Sequence, residues 1–195
     1  KLALPAGTLL RTQTPALPAR DCLFRDPLRE DVWLKLFSYN HIGAVVGAFH
    51  CRYEETGAPP IRGAVSPGDV PGLAGERFAI YAHTAGELRA LGRDERWQME
   101  LPMLSAEVFT IVPLDRGLAP IGLPHSFNSG GAVLSQGWDG EGRYTVRLRG
   151  AGECLFYCES RPNRVRLDGG DVPFAYAVAS GALRLELGDL GEHEL

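Results

Sequence analysis

Apolar residues in this chain alternate with polar ones far more often than they recur at helical spacing. From Val32 onward, Val32, Leu34 and Leu36 interleave with Trp33, Lys35 and Phe37, a period of two whose faces are both largely apolar. Asn40 and His41 interrupt the run, and the segment GAVVGAFHC (43–51) resumes it, so the pair predicts a β-hairpin. Further strands are predicted over 78–83, 98–101, 106–113, 117–122, 132–138, 143–149, 153–159, 165–167, 172–177 and 183–187. In RYTVRLR (143–149), Tyr144, Val146 and Leu148 alternate against arginines and a threonine, which predicts one buried and one wet face.

Polar and turn-rich stretches fill the gaps. Residues 85–96 fit a short helix or a loop, and 53–75 read as a long surface connection containing the turn Ser66-Pro67-Gly68-Asp69. Asn128-Ser129-Gly130-Gly131 reads as a tight turn, with at least one glycine at positive φ. The acidic tail 188–195 is expected to fray. Strands repeating every roughly 8–12 residues with turns between them predict an all-β fold, an antiparallel β-sandwich over 32–195 with about 8 to 10 strands in two sheets. Its expected core is Leu34, Leu36, Val45, Phe49, Ile80, Phe109, Ile111, Val146, Leu148, Phe156 and Leu185.

Composition narrows the class. The 24 glycines and 14 prolines among 195 residues exceed what a helical bundle tolerates. A net charge of −4 argues against nucleic acid as a partner, because phosphate recognition needs clustered Lys and Arg. No apolar run approaches the roughly 20 residues that span a bilayer, so no membrane partner is expected. No signal-peptide pattern opens the chain, and its start at Lys1 rather than Met suggests a fragment. Cys22, Cys51, Cys154 and Cys158 have neither CxxC spacing nor a nearby His pair, so no metal is expected. Cys154 and Cys158 lie four residues apart on one strand, roughly 13 Å by strand rise, too far to bridge. Buried free thiols are the expectation, and they fit a cytosolic or plastid compartment better than a secreted one.

Several segments, taken in order, carry a resemblance. LALPAGTLLRTQTPALPARDCLFRDPL (2–28), LKLFSYNHIGAVVGAF (34–49), LPMLSAEVFTIVP (101–113), LAPIGL (118–123), FNSGGAV (127–133) and VRLRGAGECLFYCESRP (146–162) resemble the C-terminal part of plant-type glycoside hydrolase family 36, which holds alkaline α-galactosidases, seed imbibition proteins and raffinose synthases. CRYEETGAPP (51–60) departs from the family pattern. The resemblance implies that residues 1–31 are the end of a catalytic (β/α)8 barrel and its junction, and 32–195 a C-terminal sandwich. It implies a double-displacement parent without a cofactor, whose catalytic aspartates lie upstream. A galactosyl oligosaccharide would be met through that barrel. No catalytic residue is expected in this chain, which is expected to be inactive alone; its oligomeric state is not set by the sequence.

A retaining glycosidase needs two carboxylates about 5–5.5 Å apart. Asp21 and Asp26 are the candidates at the junction. Asp26-Pro27 reads as a turn starter. Arg20 and Asp21 have two readings: a sugar-hydroxyl contact at the barrel mouth, or a salt-bridged pair pinning the junction. His125 beside Phe127 reads as a surface residue, and Trp33, Trp97, Trp138 and Tyr144 as core aromatics unless exposed together. The alternative to an enzyme portion is a stand-alone carbohydrate-binding or structural module. The apolar residues of the first 31 need a cover: Leu23 and Phe24 are expected to dock on the sandwich, and residues 1–14 to be mobile or to pair along a sheet edge.

Overall fold

The computed structural model describes residues 3, 4 and 7–195. Among them the chain is β throughout, with three short 3-10 turns and no α-helix. The strands are β1 (Leu17–Pro18), β2 (Leu34–Tyr39), β3 (Ala44–Phe49), β4 (Ile61–Val65), β5 (Arg77–Ala82) and β6 (Glu87–Gly92). Then come β7 (Trp97–Leu101), β8 (Ala106–Pro113), β9 (Leu118–Gly122), β10 (Val133–Trp138), β11 (Tyr144–Arg149) and β12 (Gly152–Cys158). The last are β13 (Arg166–Leu167), β14 (Gly170–Asp171), β15 (Ala175–Ala177), β16 (Ala182–Leu187) and β17 (Glu192–Glu194).

An antiparallel six-stranded sheet, ordered β1-β2-β3-β8-β5-β6, forms the middle layer. β4 and β7 make a separate ribbon. β15-β16-β12-β9 and β10-β11-β17 form a four-stranded and a three-stranded sheet. The alternation along the middle strands dictates this layering. Trp33 and Phe37 share one core with Val46, Ile80, Phe109 and Ile111, closed by Ile61, Val65, Trp97 and Leu101 of the ribbon. Ala79, Tyr81 and Val112, each one residue out of that phase, join Ile121, Leu123, Val146, Leu148, Leu155 and Leu185 in a second core. The middle sheet is therefore packed on both faces, which is why its strands read as near-continuous apolar runs.

The predicted all-β, antiparallel fold is what forms, and several local expectations are corrected. Residues 87–92 are the edge strand β6; its outward side chains are polar because an edge strand faces water, and that polarity masked it. Within 53–75 lies β4, where Gly63 is required because an added Cβ would overlap the Trp33 indole. Ile80, Phe109, Ile111, Val146, Leu148, Phe156 and Leu185 are buried as expected. Leu34, Leu36, Val45 and Phe49 are only half-buried, because Trp33, Lys35, Phe37, Val46 and Ala48 take the inward face of that hairpin. The tail does not fray: β17 pairs with β11, and Leu195 exchanges backbone hydrogen bonds with Val146. Leu4 and Leu10 are buried in the second core, whereas Leu23 is 47% and Phe24 95% exposed. Of the expectation for residues 1–14, the part on Lys1, Leu2, Pro5 and Ala6 lies outside the described residues.

Candidate functional site

The sequence candidates Arg20 and Asp21 sit in a 3-10 turn, Arg20–Cys22, that packs on the start of β2. Ala19 N–H donates to the Lys35 carbonyl at 2.9 Å, and the Cys22 thiol donates to the Ala19 carbonyl at 3.1 Å. Lys35 is buried, and its ammonium lies 2.7 Å from Asp21 Oδ2, 2.7 Å from Asp69 Oδ2 and 3.0 Å from the Ala64 carbonyl. Asp69 is oriented by the predicted turn: Ser66 N–H donates to its Oδ2 at 3.0 Å, and the Ser66 hydroxyl accepts from Gly68 N–H at 3.2 Å. One cation thus ties the Arg20–Cys22 turn, β2 and the 66–69 turn together. Three partners make its burial tolerable, since a lone buried ammonium is prohibitively costly. Arg20 is exposed.

Two 2.7 Å contacts to one nitrogen place Asp21 and Asp69 inside the roughly 5.5 Å that a retaining pair needs. Lys35 occupies the gap in which a sugar's reacting carbon would have to lie. This pair is a pin, and its geometry leaves no room for substrate between the carboxylates.

A second polar cluster crosses the other face of the middle sheet. The 3-10 turn Ser129–Ala132 is buried between β9 and β10. Asn40 Nδ2 donates to Asn128 Oδ1 at 3.1 Å, and Asn128 Nδ2 donates to the Leu10 carbonyl at 3.1 Å. Asn40 Oδ1 accepts from the N–H groups of Ile42 and Gly43. His83 Nδ1 lies 3.0 Å from the Pro124 carbonyl, Nε2 lies 2.9 Å from Thr110 Oγ1, and Thr110 Oγ1 lies 2.9 Å from Ser129 Oγ. A carbonyl can only accept, so in the neutral ring Nδ1 carries the proton, Thr110 donates to Nε2, and Ser129 donates to Thr110. Glycines make the approach possible. A Cβ on Gly131 would meet Asn128 Nδ2 at 2.6 Å and one on Gly130 would meet Asn40 Nδ2 at 2.9 Å, while Gly122, at φ +89°, faces the Ser129 carbonyl.

The remaining candidates separate. Trp33 and Trp97 are buried, whereas Trp138 and Tyr144 are half-buried together, ring centroids 5.0 Å apart, with the Arg116 guanidinium 5.2 Å over Trp138. His125 is exposed. All four cysteines are free; Cys22, Cys154 and Cys158 are buried, and burial pushes the Cys158 thiol up to about 12 and Cys154 higher than its ordinary value. Among the described residues no group of three or more His, Cys, Asp or Glu is placed to hold a metal, and no helix is long and apolar enough to cross a membrane. His193, in β17, contacts Asp168 Oδ2 at 2.9 Å through Nδ1 and the Asp189 carbonyl at 3.2 Å through Nε2.

Two grooves remain. One, of about 410 Å³, is polar and includes Arg77, Arg89, Tyr157, Glu159 and Ser180. The other, of about 470 Å³, is apolar and lies along Leu34, Leu36, Phe49, Cys51, Leu104 and Ala106. The sequence reading missed Lys35, Asn40 and Thr110 as polar anchors. The available signal was a lysine in register with Trp33 and Phe37, an inward phase that only a paired charge can occupy.

The sequence profile of the family described as raffinose synthase or seed imbibition protein Sip1 matches residues 1–58 and 67–187. A galactinol–sucrose galactosyltransferase of Oryza sativa subsp. japonica is 37% identical over 206 residues, covering 90% of this chain and 26% of that protein. A probable galactinol–sucrose galactosyltransferase 1 of Arabidopsis thaliana is 36% identical, covering 96% and 29%. The stachyose synthase of Pisum sativum is 31% identical, covering 90% and 24%. This chain spans about a quarter of the length of these curated relatives. The motifs LAPIGL and FNSGGA fall on the amide seam, the Asn40, Asn128 and Ser129 network, and the profile runs across both cores: the chain belongs to the raffinose synthase or seed imbibition protein family.

Proposed function

We propose that this chain is the C-terminal, non-catalytic portion of an enzyme that transfers or hydrolyses α-galactosyl groups on raffinose-family oligosaccharides. The observation that carries this reading is the pairing of family membership with a carboxylate pair closed by Lys35. The names of the relatives, galactinol–sucrose galactosyltransferases and a stachyose synthase, support galactosyl transfer over other chemistries. Residues 1–31 are then the end of a catalytic barrel and its junction, and Lys35 fastens that junction to the sandwich. Exposed Arg20 and the solvent-facing side of Asp21 are this chain's proposed contribution to the sugar site. The free thiols support a reducing compartment, cytosol or plastid.

Purified 1–195 is expected to release no nitrophenol from an aryl α-galactoside and to form no raffinose from galactinol and sucrose, while the full-length polypeptide does so. Turnover by 1–195 that Asp21→Asn abolishes would overturn the reading. A second reading, a carbohydrate-binding module, is favoured by the polar groove whose lining combines Tyr157 with the Arg77–Glu159 ion pair. Calorimetry with raffinose separates the two, since only a binding module takes up the sugar on its own.

A further inference from the structure

The two edges of the middle sheet differ. β1 is two residues long and contains Pro18, which has no N–H to offer, so that edge is blunted. β6, the opposite edge, is six residues long without a proline, and among the described residues it pairs only with β5. Five strand spacings, roughly 24 Å, separate it from β1.

Hydrogen-bond phase tells which groups of β6 are unused. Arg93 N–H donates to the Glu76 carbonyl, continuing the ladder with β5, whereas Gly92 N–H donates to the Glu95 carboxylate at 2.6 Å and so points away from it. Alternate residues of an antiparallel strand point the same way. The N–H and C=O groups of Ala90 and Leu88 therefore face outward, while those of Leu91 and Arg89 bond β5. The polar groove of about 410 Å³ runs against Leu88, Ala90 and Leu91, so water reaches this edge. A row of open ladder groups is a template for another strand.

The side chains of β6 select that strand. Glu87 and Arg89 have opposite charge and share one face, 2.8 Å apart. Two copies of β6 running antiparallel about a two-fold axis must bring outward-facing residues against outward-facing ones. An axis on Glu87 or on Arg89 sets that residue opposite its own copy, like charge against like. An axis on Ala90 or Leu91 needs the Gly92 N–H that Glu95 already holds. An axis on Leu88 meets neither obstacle. It places Glu87 of each copy across from Arg89 of the other, twice by symmetry, and pairs Leu88 with Leu88 through two backbone hydrogen bonds.

We propose that β6 is a self-association edge: a second copy of this chain adds its own β6 antiparallel, in the register centred on Leu88, and makes one continuous sheet across the two copies. Self-complementary charge is what selects a second copy over an unrelated strand. The inference is independent of what the molecule catalyses.

Sedimentation velocity on the full-length polypeptide should show a unit of two copies. Arg89→Glu and Glu87→Arg each put two like-charged pairs across the axis, and each should raise the dissociation constant at least about tenfold. The double variant, Glu87→Arg with Arg89→Glu, restores both pairs and should return to within about threefold of the parent. It loses the Arg89 guanidinium over Trp97 just as Arg89→Glu does, so recovery isolates the charge pairing. Backbone pairing is read separately by amide exchange localised with fragmentation mass spectrometry. Leu88 and Ala90 should exchange at least about tenfold more slowly in the dimer than in monomeric Arg89→Glu, with Leu91 unchanged. A polypeptide that stays monomeric up to about 100 µM overturns the proposal, as does a dimer indifferent to the single swaps. Protection of Leu88 and Ala90 in a particle of single-copy mass would put a different strand on the edge, and overturns it too.

Discussion

The two faces of the middle sheet each bury a polar cluster, and the two are built on opposite terms. On one face a single ammonium meets two carboxylates, and Asp21 stays 46% exposed, so part of the charge keeps its water. On the other, Asn40, Asn128, Thr110, Ser129 and His83 are neutral or neutral-capable groups, buried, and each satisfied through directional hydrogen bonds. The ionic pin needs charge balance and tolerates some imprecision in distance. The amide seam carries no net charge but requires donors and acceptors to align, so it depends on glycines that let backbones touch. One cluster should therefore fail through desolvation and the other through sterics.

The steric failure should be the larger. Gly122→Val puts a β-branched side chain at φ +89° against the Ser129 carbonyl; adding strain to overpacking gives a loss of roughly 5 kcal/mol, enough to abolish soluble folded protein. Recovery of folded protein with a denaturation midpoint near that of the parent would show the seam to be plastic. Next comes the pin. Lys35→Ala leaves the largely buried Asp69 carboxylate with only Ser66 N–H and takes the ammonium donor from the Ala64 carbonyl, a loss of about 3 kcal/mol by urea denaturation. Pairing it with Asp69→Asn should recover part of that loss; no recovery would mean that the lysine stem, not charge balance, matters. Asn128→Ala removes both amide hydrogen bonds, for about 2 kcal/mol. Combined with Asn40→Ala it should be less than additive, whereas strict additivity would deny that the two act as one unit.

The smallest effect is on β17. Burial draws the His193 pKa down, but the hydrogen bonds to Asp168 and to the Asp189 carbonyl outweigh it and the net shift is upward. Asp168 is held below its ordinary value, first by the same contact with His193. The histidine's contribution is complete below its unfolded value near 6.5 and disappears as pH rises through the raised folded value; the aspartate's is complete above its unfolded value near 3.8 and disappears as pH falls. β17 should thus be held best between about pH 4 and 6.5. Amide exchange at Leu195, corrected for intrinsic rates, should show protection falling between pH 6 and 9, a change that His193→Gln removes.

The fold class was legible because period-two patterning and turn residues are local signals. RYTVRLR and AEVFTIVP each declared a strand within eight residues. The inward face of the first hairpin was not legible, because both phases of β2 are apolar and only tertiary cover distinguishes them. Lys35 held the answer: a lysine is buried only where carboxylates converge, and Asp69 arrives from 34 positions away. Asp21 was identified, with both of its readings open, and its partner was invisible to local inspection. β6 was hidden by its edge position. The seam was half-seen: Asn128 and its glycines read as a turn, but neither Gly130 nor Gly131 takes the expected positive φ, and the bonds to Asn40 and Leu10 span 88 and 118 positions.

The placement of β8 between β3 and β5 sets a timetable. β2 and β3 are joined by a short turn, as are β5 and β6, so both hairpins can close on the microsecond scale. β8 must instead return across the whole β4–β7 region to insert between them. Until it does, β3 and β5 each present a bare edge beside apolar side chains. Chains dominated by such non-local pairings fold in milliseconds to seconds. During synthesis the first hairpin leaves the ribosome long before its neighbour, and for that interval the growing chain is at its most vulnerable to sticking to another copy of itself.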